Sequence, residues 1–313
     1  MEGIDSRELE YALPPDLIAQ RPVARRGSSR LLVYERASGA VRDRVFADLV
    51  DELGSGTLVV VNDTRVIAAR IPIDSPRGEV LLLERRDEDT WEALARPTRR
   101  LRAGRRFGDL ELVEHLGDGR WLVRLHGEPA GLVPLPPYIT EPLDDPERYQ
   151  TVYAREQGSA AAPTAGLHFT PDLLEQLDVV AVTLHVGLDT FRPLQAEVVE
   201  DHRIHGERYA VPAAAWERIR SADRVLAVGT TTMRVLETLA RGGPLVGRTE
   251  LFITPGFRFE RVDALLTNFH LPRSTLLALV MAFAGVDEIR QIYAHAIAQR
   301  YRFYSFGDAM LVL

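Results

Sequence analysis

The stretch TLVVVND (57–63) decides the fold, because it is apolar almost throughout and follows the two glycines Gly54 and Gly56. A continuous apolar run of this length is typical of a strand buried on both faces of a sheet. Upstream, LLVYER and AVRDRVF flank the turn signal Ser38-Gly39. Residues 31–62 are therefore predicted to form strand, turn, strand, helix and strand in that order.

The pattern changes between residues 70 and 134. The segments EVLLLER, TWEALAR, LELVEHL and RWLVRLH show half-alternating apolar patterns and are separated by Gly, Asp and Pro. Because no helical period is present, this region is predicted to be a small β-barrel or sandwich. The following stretch, 134–149, carries five prolines and is predicted to be a connecting arm.

Strands and helices alternate again after the arm. VVAVTLH (179–185) and RVLAVGT (224–230) are predicted strands, and STLLALVMAFAG (274–285) is a predicted helix with Ser274 as its N-cap. The other segments with helical spacing are PDLLEQL, PAAAWERIR, TMRVLETLA and DEIRQIYAHAIAQRY.

Such alternation favours parallel strand pairs. We predict a mixed-sheet α/β domain made of residues 1–69 and 150–313, with a small β-barrel domain and its arm inserted over 70–149.

Composition excludes several kinds of chemistry. The 313 residues contain no cysteine, so disulfides, thiolate nucleophiles and cysteine-ligated metals are excluded. The 38 basic residues are all arginine, which excludes a P-loop lysine, a Schiff-base lysine and a lysine general base. The net charge of −7 disfavours nonspecific coating of nucleic acid. The acidic start lacks an apolar signal region, and the longest apolar run, 276–284, is too short to span a membrane.

Histidines concentrate near turns in the second α/β stretch, where ligands of such folds bind. Histidine titrates near neutrality and suits general acid or base catalysis, although a single histidine is more often structural. These five histidines are His168, His185, His202, His205 and His270. In DHRIHGE (201–207) the neighbouring carboxylates leave three alternatives open: metal ligands, acid/base groups or a solvated polar turn.

Two further segments could line a pocket. VLAVGTTTMRVLE (225–237) runs from a strand through Gly-Thr-Thr-Thr into a helix, whose free N-terminal amides suit a carboxylate or phosphate. Plain N-capping is the alternative. DALLTNFHLP (263–272) places Asp263, Asn268 and His270 before a capped helix, as in a pocket wall or a satisfied turn.

Arginines cluster in the β region. The segment 95–107 holds six of them, and Arg25, Arg26 and Arg30 form a smaller group. Such clusters suit contact with a phosphate backbone, although a solvated loop is the alternative. The predicted RNA-binding arginines are Arg25, Arg26, Arg96, Arg99, Arg100, Arg102, Arg105 and Arg106.

Taken together, these segments resemble the S-adenosylmethionine:tRNA ribosyltransferase-isomerases of queuosine biosynthesis. The likeness runs nearly end to end. Its main segments are LPPDLIAQRP (13–22), VVVNDTRVIAAR (59–70), TAGLHF (164–169), LHVGLDTF (184–191), VGTTTMRVLE (228–237), DALLTNFHLP (263–272) and YRFYSFGDAML (301–311).

The resemblance implies a reaction. The ribosyl group of S-adenosylmethionine is transferred and rearranged onto 7-aminomethyl-7-deazaguanine in tRNA, adenine and methionine leave, and epoxyqueuosine remains. The resemblance implies no metal and no cofactor, since S-adenosylmethionine is consumed as a co-substrate. The expected protein is cytoplasmic and monomeric, binds tRNA and S-adenosylmethionine, and makes no membrane contact.

We expect the catalytic groups among histidines and carboxylates, namely His168, His185, His270, Asp201, His202, His205 and Asp263. The expected substrate-binding residues are Thr164, Gly166, Gly187, Gly229, Thr230, Thr231, Thr232, Arg234 and Asn268.

The sequence departs from the family pattern at Asp189, where glycine is usual, in GTTTMR, and in a shorter segment between Arg70 and Glu79. Two alternatives remain: a metal-dependent hydrolase built on His202 and His205, and a noncatalytic RNA-binding protein.

Overall fold

A computed structural model describes residues 4–74, 77–187, 194, 196–202, 204 and 206–313. The strands, in chain order, are β1 (Arg30–Glu35), β2 (Ala40–Val45), β3 (Thr57–Asn62), β4 (Thr64–Val66), β5 (Arg70–Asp74), β6 (Arg77–Arg85), β7 (Thr90–Arg96), β8 (Arg106–Phe107), β9 (Leu110–Gly117), β10 (Arg120–Leu125), β11 (Glu156–Ser159), β12 (Asp178–Leu184), β13 (Glu207–Ala210), β14 (Arg224–Val228), β15 (Val246–Thr249), β16 (Ala264–Asn268) and β17 (Ala309–Val312). The α-helices are α1 (Leu49–Glu52), α2 (Pro171–Leu174), α3 (Ala213–Ser221), α4 (Thr230–Ala240), α5 (Thr275–Ala284) and α6 (Val286–Ala298).

The largest sheet has nine strands in the order β15-β13-β12-β3-β14-β16-β17-β1-β2. Its centre is parallel, since β12, β3, β14 and β16 run in one direction, and β1 is parallel to β17. The remaining neighbours are antiparallel. Strand β3 is buried along its whole length between β12 and β14, as TLVVVND predicted. The predicted mixed-sheet α/β fold is confirmed.

The second sheet is antiparallel and forms a nearly closed six-stranded barrel with the order β5-β6-β7-β10-β9-β8. Its interior is a separate apolar core in which Trp91 and Trp121 are the largest side chains. Strand β5 pairs with β6 at the barrel edge, where the segment between Arg70 and Glu79 is shorter than in the family pattern. The predicted small β-barrel is thereby confirmed.

Helices cover both faces of the main sheet. Helices α3, α4, α5 and α6 pack on one face, where Leu236, Leu279 and Ile292 are buried with the apolar side chains of the strands. Helices α1 and α2 contribute to the core on the other face. Helix α5 begins as predicted, because Ser274 Oγ accepts a hydrogen bond from the Leu277 amide at 3.1 Å. Helix α2 is only four residues long, shorter than the periodicity of PDLLEQL suggested.

The parallel strands determine where a ligand can bind. The carboxyl ends of β3, β12, β14 and β16 lie at one edge of the sheet, and ligands of open α/β sheets bind outside such an edge. The residues immediately after these strands are Asp63, His185, Gly229 and Phe269. Across the described part of the chain, no helix has the length and apolarity required to span a membrane.

Candidate active site

A cavity of about 500 Å³ lies between the carboxyl edge of the main sheet and the barrel. The sheet side contributes His185, Gly187, Thr231 and Arg234, together with His202 from the segment before β13. The barrel side contributes side chains from β6, β7 and β10, including Arg85, Trp91, Glu92 and Arg120. Five residues predicted from the sequence therefore share one wall of the cavity.

His185 is held firmly within this wall. Its Nδ1 lies 2.9 Å from Thr64 Oγ1, and its backbone N–H donates to the Arg208 carbonyl at 3.0 Å. Among the described residues, Nε2 has no hydrogen-bond partner. Burial and, secondarily, the charge of Arg208 lower the pKa of His185, so the ring is neutral at physiological pH. A neutral histidine with a free ring nitrogen in a cavity can act as a general base.

Gly158 makes room for the His185 ring. A Cβ at this position would lie 2.9 Å from His185 Cε1, closer than carbon atoms normally approach. The φ of Gly158 is +142°, which also disfavours any residue with a side chain. Strand β11, which contains Gly158, pairs with β4, which contains Thr64. The two-stranded sheet thus holds the imidazole from its face and from its edge.

A buried ion pair forms another part of the wall. Arg234 donates from Nη1 to Glu207 Oε2, and both side chains are at most 7% exposed. Arg234 Nε also donates to the Leu251 carbonyl at 3.0 Å, and Glu207 Oε1 accepts from the Gly187 amide at 3.3 Å. Since buried charges require pairing and hydrogen bonds, these contacts fix Arg234 and the Gly187 backbone together at the cavity.

A second, smaller cavity of about 60 Å³ adjoins the first, and Thr231 and Leu276 line both. Helix α4 begins here after Gly229, whose φ is +90°. The Thr230 and Thr231 side chains are 5% and 7% exposed, and their hydroxyls have no hydrogen-bond partner in the described part of the chain. Hydroxyls without a protein partner beside a helix N-terminus are suited to an anionic ligand group. Thr232 differs, because its hydroxyl donates to the Val228 carbonyl at 2.7 Å.

His270 and Asn268 also line the second cavity. His270 Nε2 lies 2.7 Å from Thr267 Oγ1, and burial lowers its pKa to about 3. Asn268 accepts from Thr164 Oγ1 at 3.0 Å, which places Thr164 on the same wall. These side chains are therefore neutral hydrogen-bonding groups.

His168 lies behind this wall rather than in it. Its Nδ1 is 2.7 Å from Ser29 Oγ, its Nε2 is 3.3 Å from Asn268 Nδ2, and its ring stacks on Phe46. Burial, reinforced by Arg26 and Arg302, lowers its pKa to about 3. Both ring nitrogens are occupied, and the ring borders only a small void, so its contact with the main cavities is through Asn268. Gly166 packs nearby against Tyr153, where a Cβ would clash.

The structure separates the predicted carboxylates from the histidines. Asp263 precedes β16 and accepts from the Val225 amide at 2.8 Å, whereas His270 follows the other end of this strand, which rises about 16 Å from Asp263 to Asn268. Asp201 is exposed at the end of a 3₁₀ helix and does not line either cavity, whereas His202 does. His205 and Asp189 lie outside the described residues. Among the residues described, no three histidine, aspartate or glutamate side chains could hold a metal ion.

The predicted RNA-binding arginines of segment 95–107 lie on the barrel rim away from the cavity. Trp91, near the start of β7, lines the cavity, whereas Arg96 ends this strand about 17 Å further on. Arg99, Arg100 and Arg102 are exposed in the loop that follows. Arg106 pairs with Glu111 at 3.1 Å, and Arg105 lies over the Phe107 ring.

The smaller arginine group contains one exposed member and one that makes structural contacts. Arg25 is exposed, whereas Arg26 donates to the carbonyls of Gln150 and Leu167, both at 3.0 Å. Arg26 therefore joins two backbone segments, and its guanidinium is already used in structural contacts.

Several site residues were not predicted from the sequence. Thr64 and Gly158 carry no catalytic signature of their own, and the barrel residues Arg85 and Trp91 reach the site only because of how the barrel packs. Glu207 stood within the polar cluster DHRIHGE, but only the structure reveals its pairing with Arg234.

Comparison with known proteins gives consistent results. Residues 6–312 match the family described as "Queuosine biosynthesis protein". The S-adenosylmethionine:tRNA ribosyltransferase-isomerase of Rubrobacter xylanophilus is 53% identical over 98% of this chain and 97% of the relative, and that of Desulfitobacterium hafniense is 51% identical over 98% and 99%. The crystal structure of S-adenosylmethionine tRNA ribosyltransferase from Thermotoga maritima is similar with a TM-score of 0.59 and 39% identity, covering 98% of this chain and 100% of that one.

Proposed function

The chain belongs to the S-adenosylmethionine:tRNA ribosyltransferase-isomerase family, and from this premise we propose how its cavity performs the reaction. The enzyme transfers and isomerises the ribosyl group of S-adenosylmethionine onto 7-aminomethyl-7-deazaguanine in tRNA. Epoxyqueuosine forms, and adenine and methionine are released. Neither a metal-dependent hydrolase nor a noncatalytic RNA-binding protein finds support among the relatives, which are named as transferases.

The observation that carries the proposal is the position of His185. His185 lines a cavity large enough for a nucleoside, at the carboxyl edge of the parallel strands, and its Nε2 has no partner among the described residues. The sulfonium of S-adenosylmethionine acidifies the adjacent ribose carbon. His185 takes a proton from that carbon, and adenine leaves from the sugar. The aminomethyl nitrogen then bonds to the rearranging sugar, and methionine departs with the sulfur.

The smaller cavity is proposed to hold the amino-acid end of the co-substrate. The first amides of α4 and the free hydroxyls of Thr230 and Thr231 would donate to its carboxylate. His270 and Asn268 complete that cavity as neutral partners. Because Thr231 lines both cavities, a molecule bound at α4 extends directly towards His185.

The tRNA is proposed to enter from the barrel side. The exposed arginines that follow β7 would contact phosphates, while the target base reaches the cavity past Trp91 and Arg85. Proximity and exclusion of water would then favour transfer to the amine over hydrolysis. S-Adenosylmethionine is a consumed co-substrate in this scheme, no separate cofactor takes part, and a cytoplasmic location fits a tRNA substrate.

The decisive experiment is incubation of the protein with S-adenosylmethionine and tRNA carrying 7-aminomethyl-7-deazaguanine. Mass spectrometry of the digested RNA should show the epoxy-cyclopentane adduct, and chromatography should show equimolar adenine and methionine. The same tRNA carrying guanine at that position is the control. Release of adenine without any adduct on the RNA would contradict the proposed transfer.

A further inference from the structure

We infer that Thr64 is a positioning residue that fixes the tautomer of His185, so that Nδ1 carries the ring proton and Nε2 presents its lone pair to the cavity. This inference deepens the proposed function, since it specifies how the base is held in its reactive form. The first observation is geometric. Thr64 Oγ1 is fully buried, 2.9 Å from His185 Nδ1 and 3.4 Å from the Glu156 carbonyl oxygen.

A hydroxyl has one hydrogen to donate, and a carbonyl oxygen can only accept. When Thr64 donates to Glu156, its oxygen is available to accept from the imidazole. The proton of the neutral ring then lies on Nδ1. The tautomer of a functional histidine is set in this way by the bond that its other nitrogen makes. The opposite tautomer would direct an N–H into the cavity, where it could not remove a proton.

The second observation is that the ring has little freedom to turn. Gly158 lies against its face, and a Cβ there would be within 3.2 Å of Cε1, Nδ1 and Nε2. The backbone of His185 is held by the Arg208 carbonyl. A ring flip would take Nδ1 away from Thr64 and leave the buried Oγ1 without the imidazole N–H from which it accepts. The strand pair β4–β11 therefore sets both the position and the protonation of the base.

The inference is tested on the enzyme alone by long-range ¹H–¹⁵N spectroscopy of ¹⁵N-histidine-labelled protein. His185→Gln identifies the His185 signals by their loss. The wild-type enzyme and Thr64→Ser should show Nδ1 protonated and Nε2 unprotonated at neutral pH. Thr64→Val, which keeps the side-chain shape, should lose this preference. Wild-type His185 protonated on Nε2 would overturn the inference, and this spectrum decides even if Thr64→Val fails to fold.

Turnover provides the second measurement. Thr64→Val should lower kcat by about 10- to 100-fold, the loss typical when the partner that orients a functional histidine is removed. The KM for S-adenosylmethionine should change little, and Thr64→Ser should restore most of kcat. Equal kcat in Thr64→Val and the wild type would contradict the inference. If the wild type forms no adduct on tRNA while its spectrum shows the expected tautomer, the proposed function fails and the assignment of the tautomer stands.

Discussion

At the scale of single residues, the site depends on which histidines are free to exchange a proton. Three of the predicted histidines have depressed pKa values, and of these only His185 lines the large cavity, with its Nε2 unpartnered among the described residues. His168 uses both ring nitrogens in hydrogen bonds, whereas His270 uses Nε2 and lines the smaller cavity. Desolvation thus favours the neutral form of all three, and the position of His185 supports its proposed role as the base.

Replacing His185 should therefore abolish most of the turnover. His185→Gln is expected to lower kcat by roughly 10²- to 10⁴-fold, the usual contribution of a general base. Steady-state release of adenine measures the effect. His126→Gln, on an exposed barrel residue, is the matched control and should be unaffected. Turnover of His185→Gln within twofold of the wild type would exclude His185 as the base.

The pH dependence of the reaction should reflect the lowered pKa of His185. Burial and Arg208 lower the pKa of His185, and the nearby carboxylates Glu156, Asp63 and Glu84 oppose them only partly. A base must be unprotonated in the free enzyme, so kcat/KM should fall on the acid side, with its midpoint below the ordinary value of about 6.5. A profile of kcat/KM against pH measures the midpoint. A midpoint above 6.5 would contradict the assignment.

Replacing His168 should change the pH dependence of the free energy of unfolding rather than the turnover. Its folded pKa of about 3 lies below the ordinary 6.5, so acidification protonates the unfolded chain first. Its contribution to stability is therefore complete above pH 6.5 and is lost between about pH 6.5 and 3, at roughly 1.4 kcal/mol per pH unit. Urea unfolding from pH 6 to 4 should give a shallower slope for His168→Gln. Identical slopes would show that His168 is not the titrating group.

At the scale of elements, the sequence predicted the strands and helices that have a long apolar run or a capping residue. It did not predict elements that lack such a local pattern. The β3 and β14 strands and the capped helix α5 follow from their apolar runs and from Ser274. Strand β17 (Ala309–Val312) is buried along its whole length, so apolar and polar residues do not alternate in its sequence. It was missed because its burial follows from pairing with β16 and the distant β1, which the local sequence does not specify.

The same limit applied to the site. His185, Gly187 and Thr231 were predicted at turns that follow strands, and Arg234 from the resemblance of GTTTMR to the family. Asp263 was predicted with Asn268 and His270 as part of one pocket wall, but the direction of β16 places it at the far edge of the sheet. Strand direction, rather than the presence of an acidic residue, decides which residues meet.

The start of α4 should determine affinity for the co-substrate. Thr231→Val removes a cavity-lining hydroxyl without changing the side-chain shape, so KM for S-adenosylmethionine should rise about tenfold, as expected for one lost hydrogen bond to a charged group. Thr231→Ser, which keeps the hydroxyl, is the control and should remain close to the wild type. Isothermal titration calorimetry would compare the affinities of the wild type and the two variants for S-adenosylmethionine without measuring turnover. An unchanged affinity in Thr231→Val would remove α4 from the binding site.

The loop after β7 should determine affinity for tRNA. Arg99→Ala combined with Arg100→Ala removes two exposed guanidiniums, so binding should weaken and the slope of log affinity against log salt should decrease by about one per lost phosphate contact. The matched control is Arg218→Ala, which removes an arginine of α3 that pairs with Asp178 of β12. An unchanged salt slope in the double variant would mean that the RNA binds elsewhere.

At the scale of the whole molecule, the cavity exists because the main sheet and the barrel meet. Arg248 Nη1 pairs with Glu84 Oε1 at 2.5 Å, and Arg208 Nη1 donates to the Arg85 carbonyl at 3.2 Å. Both contacts join the outer strands of the main sheet to strand β6 of the barrel beside the cavity. Partly exposed ion pairs contribute at most about 1 kcal/mol, which changes an equilibrium constant about fivefold.

Glu84→Gln together with Arg248→Gln should therefore loosen the barrel while leaving the melting temperature nearly unchanged. Because the chain has no cysteine, Glu114→Cys and Ser221→Cys introduce unique labelling sites on the barrel and on α3. Spin labels there should give a broader distance distribution in the charge-neutral variant than in its parent, and a bound S-adenosylmethionine analogue with tRNA should narrow both. Arg220→Gln with Glu217→Gln, a pair within α3, is the control. Equal distributions in variant and parent would mean that apolar contacts around Trp91, rather than charges, hold the two domains together.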